Sequence, residues 1–210
     1  MSNYTQLMGT VGRASAADGE TQPVRATKRM ALQTANSQAL FQEAVERGSC
    51  FSAANQTGVA SQAGLSATTP VLSLYNPLGS GKNAVLWYAG CTPLVAFAAA
   101  AAIFLAAGTN LAAAPVTGTA ATSRNLKLGG AAPSISAFLA ATLPAAPVAI
   151  GLLGGGLTGA ITTLPGITPY ERWYNGGVIL QPGSNISIQT STASGALGLL
   201  CEFIWEEVEI

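Results

Sequence analysis

The stretch GGVILQPGSNISIQTSTASGALGLLCEFIWEEVEI, residues 176–210, decides the fold. Its last part alternates strictly. Leu197, Leu199, Cys201, Phe203 and Trp205 fall on one face of an extended strand, as a strand lying on a hydrophobic core requires. The opposite face carries Leu200, Ile204, Val208 and Ile210 among Glu202 and Glu206, so it is only half polar. A strand with apolar residues on its outer face needs a second covering layer, and a neighbouring copy of the chain supplies one. Upstream, Gln181, Pro182, Gly183 and Ser184 fit a type II turn, with proline setting φ at the second position and glycine accepting positive φ at the third. Ile186 and Ile188 alternate beyond it. Strand, turn, strand, loop and long final strand read as an antiparallel meander.

Further upstream, residues 70–90 contain PVLSLY, NPLGSGKN and AVLWYAG, which read as strand, turn and strand, the turn being either a hairpin or a crossing between sheets. More strands are expected at about residues 94–106, 134–143, 146–153, 158–163, 177–181, 185–190 and 196–209. Many short strands separated by Gly/Pro turns predict an all-β fold, a jelly-roll-like β-sandwich. Ahead of it, SQALFQEAVER (residues 37–47) sets Leu40, Phe41, Ala44 and Val45 on one side, spaces Glu43 four before Arg47 and stops at Gly48, predicting a short amphipathic helix. Residues 1 to about 25 are polar and aperiodic, as in an extended arm, and show no basic segment followed by an apolar core, so no secretory signal is expected. The expected organisation is an arm and helix over residues 1–48 and a sandwich over 49–210.

Two uncharged runs, residues 84–107 and 134–160, are long enough to cross a bilayer. Pro93 interrupts the first, Pro144 and Pro147 interrupt the second, and alanine adds little hydrophobicity, so membrane helices are the weaker reading. The alanine-rich part, 96–107, is open between a strand and a buried helix.

The chain has 210 residues, zero formal net charge and only 9% charged residues, against about 25% in soluble proteins generally. Between Phe51 and Leu200 the charges are Lys82, Arg124, Lys127, Glu171 and Arg172. Such a body has no field to attract nucleic acid and little repulsion to keep copies apart, which predicts an assembly subunit. The three cysteines, Cys50, Cys91 and Cys201, form no CxxC pair and read as buried thiols of a chain folded in a reducing compartment. Histidine is absent, which excludes Ser-His-Asp and Cys-His catalysis and removes the commonest zinc ligand.

Gly79, Ser80, Gly81 and Lys82 invite comparison with a phosphate-binding loop, but Asn76 stands where the first glycine belongs and Asn83 where Ser or Thr belongs. Glu202, Glu206, Glu207 and Glu209 could supply a glycosidase pair or calcium ligands. A solvated edge, or salt bridges to a neighbouring subunit's Arg25, Lys28 and Arg29, is the preferred reading. Trp87, Tyr88, Trp173, Tyr174 and Trp205 are candidates for a sugar platform, though core and interface filling is expected of them. No catalytic residue, cofactor or metal site is expected.

Residues 37–88 and 171–210 resemble virion structural proteins of tailed bacteriophages. The resemblance rests on an N-terminal helix, an SNPxGSGxNxVL-like strand-turn-strand matched by residues 75–86, and an LxPGxxxxI...FxWEE ending matched by residues 180–207. Tyr75 departs from the pattern's serine, and the alanine-rich middle lies outside it. The resemblance implies a jelly-roll-like, trimeric, non-enzymatic subunit on the virion, assembled in the host cytoplasm. It would cement or decorate the capsid by binding the major capsid protein or other virion proteins, without nucleic acid or membrane. Leu200, Ile204, Val208 and Ile210 are the expected oligomer interface. Arg25, Lys28, Arg29, Leu40 and Phe41 are the expected capsid-contacting arm. A tail, baseplate or receptor-binding component and a phage membrane protein are the alternatives.

Overall fold

Apolar alternation with glycine and proline breaks produces strands throughout. A computed structural model of the chain describes residues 41–95, 97, 99–109, 115–156, 170–194 and 198–210. In chain order they form α1 (Gln42–Arg47), β1 (Cys50–Ala54), β2 (Leu72–Tyr75), β3 (Lys82–Pro93), β4 (Ala101–Thr109), β5 (Thr117–Ala120) and β6 (Ser123–Asn125). Then follow β7 (Ser136–Thr142), β8 (Val148–Gly156), β9 (Tyr170–Leu180), β10 (Ser184–Thr190) and β11 (Leu199–Glu209). The chain divides into Met1–Glu43 and Ala44–Ile210, and the second unit carries both sheets. Arg25, Lys28, Arg29, Leu40, Leu197 and the strand expected at 158–163 lie outside the described residues.

The strands pair as a chain doubled back on itself. β1 pairs with β11, β2 with β10, β3 with β9 and β4 with β8, all antiparallel, like a long hairpin bent between β4 and β8. Rolling that hairpin brings β11 beside β3 and β10 beside β4. One sheet has the order β6-β1-β11-β3-β9 and the other β5-β7-β2-β10-β4-β8. The eight nested strands make an all-β sandwich of jelly-roll topology, and β5, β6 and β7, inserted at the bend, extend both sheets on the side of β1 and β2.

This arrangement corrects the meander. β9 is the edge strand of the first sheet, β10 is interior to the second and β11 is interior to the first, so each connection after β9 crosses the sandwich. The 76–83 turn likewise joins β2 in one sheet to β3 in the other. Among the described residues, the runs expected at 84–107 and 134–160 carry β3, β4, β7 and β8, and no helix is long and apolar enough to cross a membrane. From Ala101 on, the alanine-rich run is strand β4, paired with β10 on one side and β8 on the other. β1, in a passage rich in small polar residues, was not expected as a strand.

The alternation of β11 holds: Leu199, Cys201, Phe203 and Trp205 are all in the core, with Leu72, Leu74, Ile186, Ile188, Ile103 and Leu105 from the second sheet. Each such large side chain contributes roughly 1.5–3 kcal/mol when fully buried. Trp205 stacks on Phe51 of β1, ring centroids 5.9 Å apart. β3 keeps its face only by a bulge, in which Ala84 and Leu86 point inward before Trp87, and Ala89 and Cys91 after it. At the open side of the sandwich, glycines of β8 admit the rings of β9. A Cβ on Gly154 would collide with the Tyr170 ring, and one on Gly151 would lie 2.8 Å from the Tyr174 hydroxyl.

Three buried asparagines tie the turns to the sheets. The Asn76 side-chain amide donates to the Lys82 and Leu180 carbonyls at 2.7 and 2.8 Å, and its oxygen accepts from the Ser80 hydroxyl at 2.6 Å. Its backbone bonds Ser184 and Gly183, so one residue holds together the β2–β3 turn and the proline-glycine turn at 181–184. Gly183 has φ of 88°, and Ser184 N–H reaches the Gln181 carbonyl at 3.0 Å, as a type II turn requires. Asn55 bonds Leu199, Thr57 and Cys201, and Asn125 bonds Gly48, Ala131 and Lys127. Buried amides satisfied this fully stabilise one connection over others.

Candidate interaction surface

Because Phe203 and Trp205 point inward, Ile204 and its even-numbered neighbours on β11 point out from the first sheet. Strand register then sets the rest of that face. Ser52, Ile204, Tyr88 and Trp173 lie in one row across β1, β11, β3 and β9, and Ala54, Glu202, Gly90 and Glu171 lie in the next. On the other side, Val85 stands between Glu206 and Ile179. Trp173 reaches its row through a large irregularity of β9, since Leu86 pairs with Val178 and Tyr88 with Trp173, leaving residues 174–177 opposite Trp87 alone. Asn175 and Gly176, at φ of 49° and 85°, make that excursion.

The centre of this face is apolar and aromatic. Tyr88 and Trp173 meet at 4.9 Å between centroids with planes tilted by 57°, and the Tyr88 hydroxyl donates to Glu171 Oε2 at 2.9 Å. That hydroxyl lies over Gly90, where any Cβ would collide with it. Trp173 is 49% exposed and Ile179 57%. Partial burial, with the Glu171 hydrogen bond and the charges of Glu171 and Glu202, pushes the Tyr88 hydroxyl up to about 12. Burial also raises the Glu202 carboxyl above its ordinary value.

The sign of the Glu202 effect gives a prediction. A carboxyl with a raised folded pKa favours folding while protonated, and that contribution is lost as pH rises from its unfolded pKa through its folded one. Glu202→Gln should therefore be more stable than the parent at neutral pH, with the difference vanishing in acid. Denaturant midpoints across that range check it.

The expected interface residues are on this strand: Leu200 and Ile204 are half-buried, and Val208 and Ile210 are exposed beyond them. Phe41, just before α1, is half-buried. The glutamates divide: Glu209 is exposed, as a solvated edge requires, whereas Glu202 and Glu206 are half-buried. Glu207 is buried, its Oε1 accepting from the Ser134 and Ile135 backbone at 2.8 and 2.9 Å, its Oε2 meeting Lys82 Nζ at 3.3 Å. Glu206 accepts from Arg47 and Ser49 of its own chain, both at 3.3 Å, where α1 runs into β1, and Glu209 meets Lys82 at 3.6 Å. Cys50, opposite Glu206, is buried at this end, and its thiol is pushed up to about 12, by burial first and then by Glu206.

The five aromatics divide. Trp87 and Trp205 are buried, Tyr174 packs against the core with Arg172 over its ring at 5.2 Å, and Tyr88 and Trp173 form the outer surface. Gly79–Lys82 belongs to the turn pinned by Asn76. Among the described residues no group of three His, Cys, Asp or Glu side chains could hold a metal ion. The sequence reading missed the pairing of Tyr88 with Trp173, and the only signal for it was the AsnGlyGly of the β9 irregularity. No family model, no curated protein and no solved structure matches the chain.

Proposed function

We propose that the chain is a non-enzymatic structural subunit of a tailed-bacteriophage virion, foremost a capsid cement or decoration protein that works as an oligomer. The observation that carries this reading is the row Ile204, Tyr88 and Trp173, with Val85, Leu200 and Ile179 around it, on a body with few charges. An apolar band at the middle of a sheet face and carboxylates beside it is the make-up of a buried interface centre with a polar rim. Covering it with a sister copy removes apolar area at about 25 cal/mol per Å2, and contacts of about 1,600 Å2 repeated over a shell would resist the pressure of packaged DNA.

In this reading residues 1–40, with Arg25, Lys28, Arg29 and Leu40, reach the capsid, while the sheets hold the oligomer. Deleting them should leave the oligomer intact and abolish sedimentation with capsids that lack the protein. Undiminished co-sedimentation would overturn the role given to the arm. A second reading, a receptor-binding tail component, is favoured by the exposed Trp173 beside Tyr88 and Glu171, an arrangement on which a sugar ring could stack. Glycan binding lost in Trp173→Ala would favour it.

A further inference from the structure

Cys91 and Cys201 sit opposite each other on the core-facing side of β3 and β11, with Sγ atoms 3.4 Å apart. The backbone shows which kind of pair they are. Cys201 N–H donates to Asn55 Oδ1 and its carbonyl accepts from Asn55 N–H at 3.3 Å. In an antiparallel strand a residue's N–H and C=O point to the same neighbour, so Cys201 offers β3 no backbone bond. Cys91 and Cys201 are therefore a non-hydrogen-bonded pair, the closer of the two kinds, with Cα atoms about 4.5 Å apart. That separation is within the roughly 4.4–6.8 Å that a disulfide spans, and an S–S bond of about 2.0 Å is reached by side-chain rotation without moving the strands.

We propose that Cys91 and Cys201 are a latent cross-strand disulfide site, reduced in the compartment where the chain folds and closed once the protein meets an oxidising exterior. The oxidant is a small-molecule disulfide such as glutathione disulfide. One cysteine thiolate attacks it and expels a glutathione thiolate, and the second cysteine then displaces the other glutathione from the mixed disulfide. The two thiols lose two protons and two electrons, and one glutathione disulfide becomes two glutathiones.

Burial, with Cys91 adding to it, pushes the Cys201 thiol well up, so the closed protein holds little thiolate. Reaction waits for local opening. The pairs Leu200–Thr92 and Leu199–Pro93 and the Leu94–Gly198 bond lie between the cysteines and that end of the β3–β11 pairing, so local opening there, with release of Leu199 and Cys201 from Val59 and Asn55, exposes the thiols. Cys50 faces the other side of the sheet and takes no part.

The test is to equilibrate the intact protein with glutathione disulfide, denature it, alkylate free thiols and read the mass. The reduced chain carries three free cysteines. The expected result is one remaining alkylatable thiol, a loss of two hydrogens, and a linked peptide pair containing Cys91 and Cys201. Cys50→Ser should go from two thiols to none, and if that variant does not fold, peptide mapping of the parent decides. The oxidised protein should also unfold at higher denaturant, because the bond closes a long loop. Three thiols persisting at equilibrium, a stable glutathione adduct, or a link through Cys50 would overturn the proposal. Its failure would leave the assembly reading untouched, since oligomer mass is measured on the reduced protein.

Discussion

Trp205→Ala should cost about 3–5 kcal/mol of unfolding free energy, the range for truncating a fully buried large aromatic side chain. Trp205 has no exposed surface, stacks on Phe51 across the β1–β11 ladder and faces the second sheet. Its loss opens a cavity where the outermost strand pair of the roll is joined. Single domains are stable by about 5–15 kcal/mol, so the loss removes a large share of the total. Denaturant unfolding at fixed protein concentration checks this, because assembly shifts apparent stability by mass action. Phe203→Leu, which keeps most of the volume, should lose far less.

Glu207→Ala should also be damaging, at about 2–5 kcal/mol, since each buried donor left without an acceptor costs about 1–3 kcal/mol and the partly exposed Lys82 loses one of its two carboxylate partners. Glu207 Oε1 accepts from both the Ser134 and Ile135 amides, and its Oε2 draws in Lys82 at the start of β3. Truncation leaves two backbone donors without a partner where β7 begins. Glu207→Gln keeps an oxygen for those amides and forfeits only the ion pair, so its midpoint should lie between the parent and the alanine variant. Equal losses for the two substitutions would mean that the ion pair, and not the capping of β7, sets the cost.

Strands whose side chains alternate strongly were legible before any coordinates. The inward face of β11, the Ile186–Ile188 strand and the turns at 76–83 and 181–184 follow from the residues themselves. Other local features were less so. β1 is built from CFSAA in a passage of small polar residues, so it exists because β11 and β6 pair with it. A strand was expected at 94–106, but its alanines left a buried helix open, and pairing of β4 with β10 and β8 decides for the strand. The path of the roll was hidden for a different reason. A proline-glycine turn serves equally to close a hairpin or to cross a sandwich, and what selects crossing is Asn76, over a hundred residues earlier, bonding Ser184 and Gly183.

The surface was legible in the same uneven way. Leu200 and Ile204 could be placed on the outer face by alternation alone, whereas Trp173 joins them only through the irregularity at residues 174–177, which defeats counting of register. Glu207 was read with its neighbours as solvated because a run of glutamates at alternating depth looks uniform in sequence. Its partners, Ser134 and Ile135, come from another sheet's approach and leave no mark nearby.

Assembly through the outer face of the first sheet is the claim on which the functional account stands, and solution mass by light scattering tests it most directly. The parent protein should scatter as an oligomer, a trimer in the reading preferred here. Ile204→Lys, which sets a cation between Glu202 and Glu206, should scatter as a single chain with an unchanged β-sheet circular dichroism spectrum. A parent that stays monomeric at high concentration, or an Ile204→Lys oligomer identical to the parent's, would contradict the account.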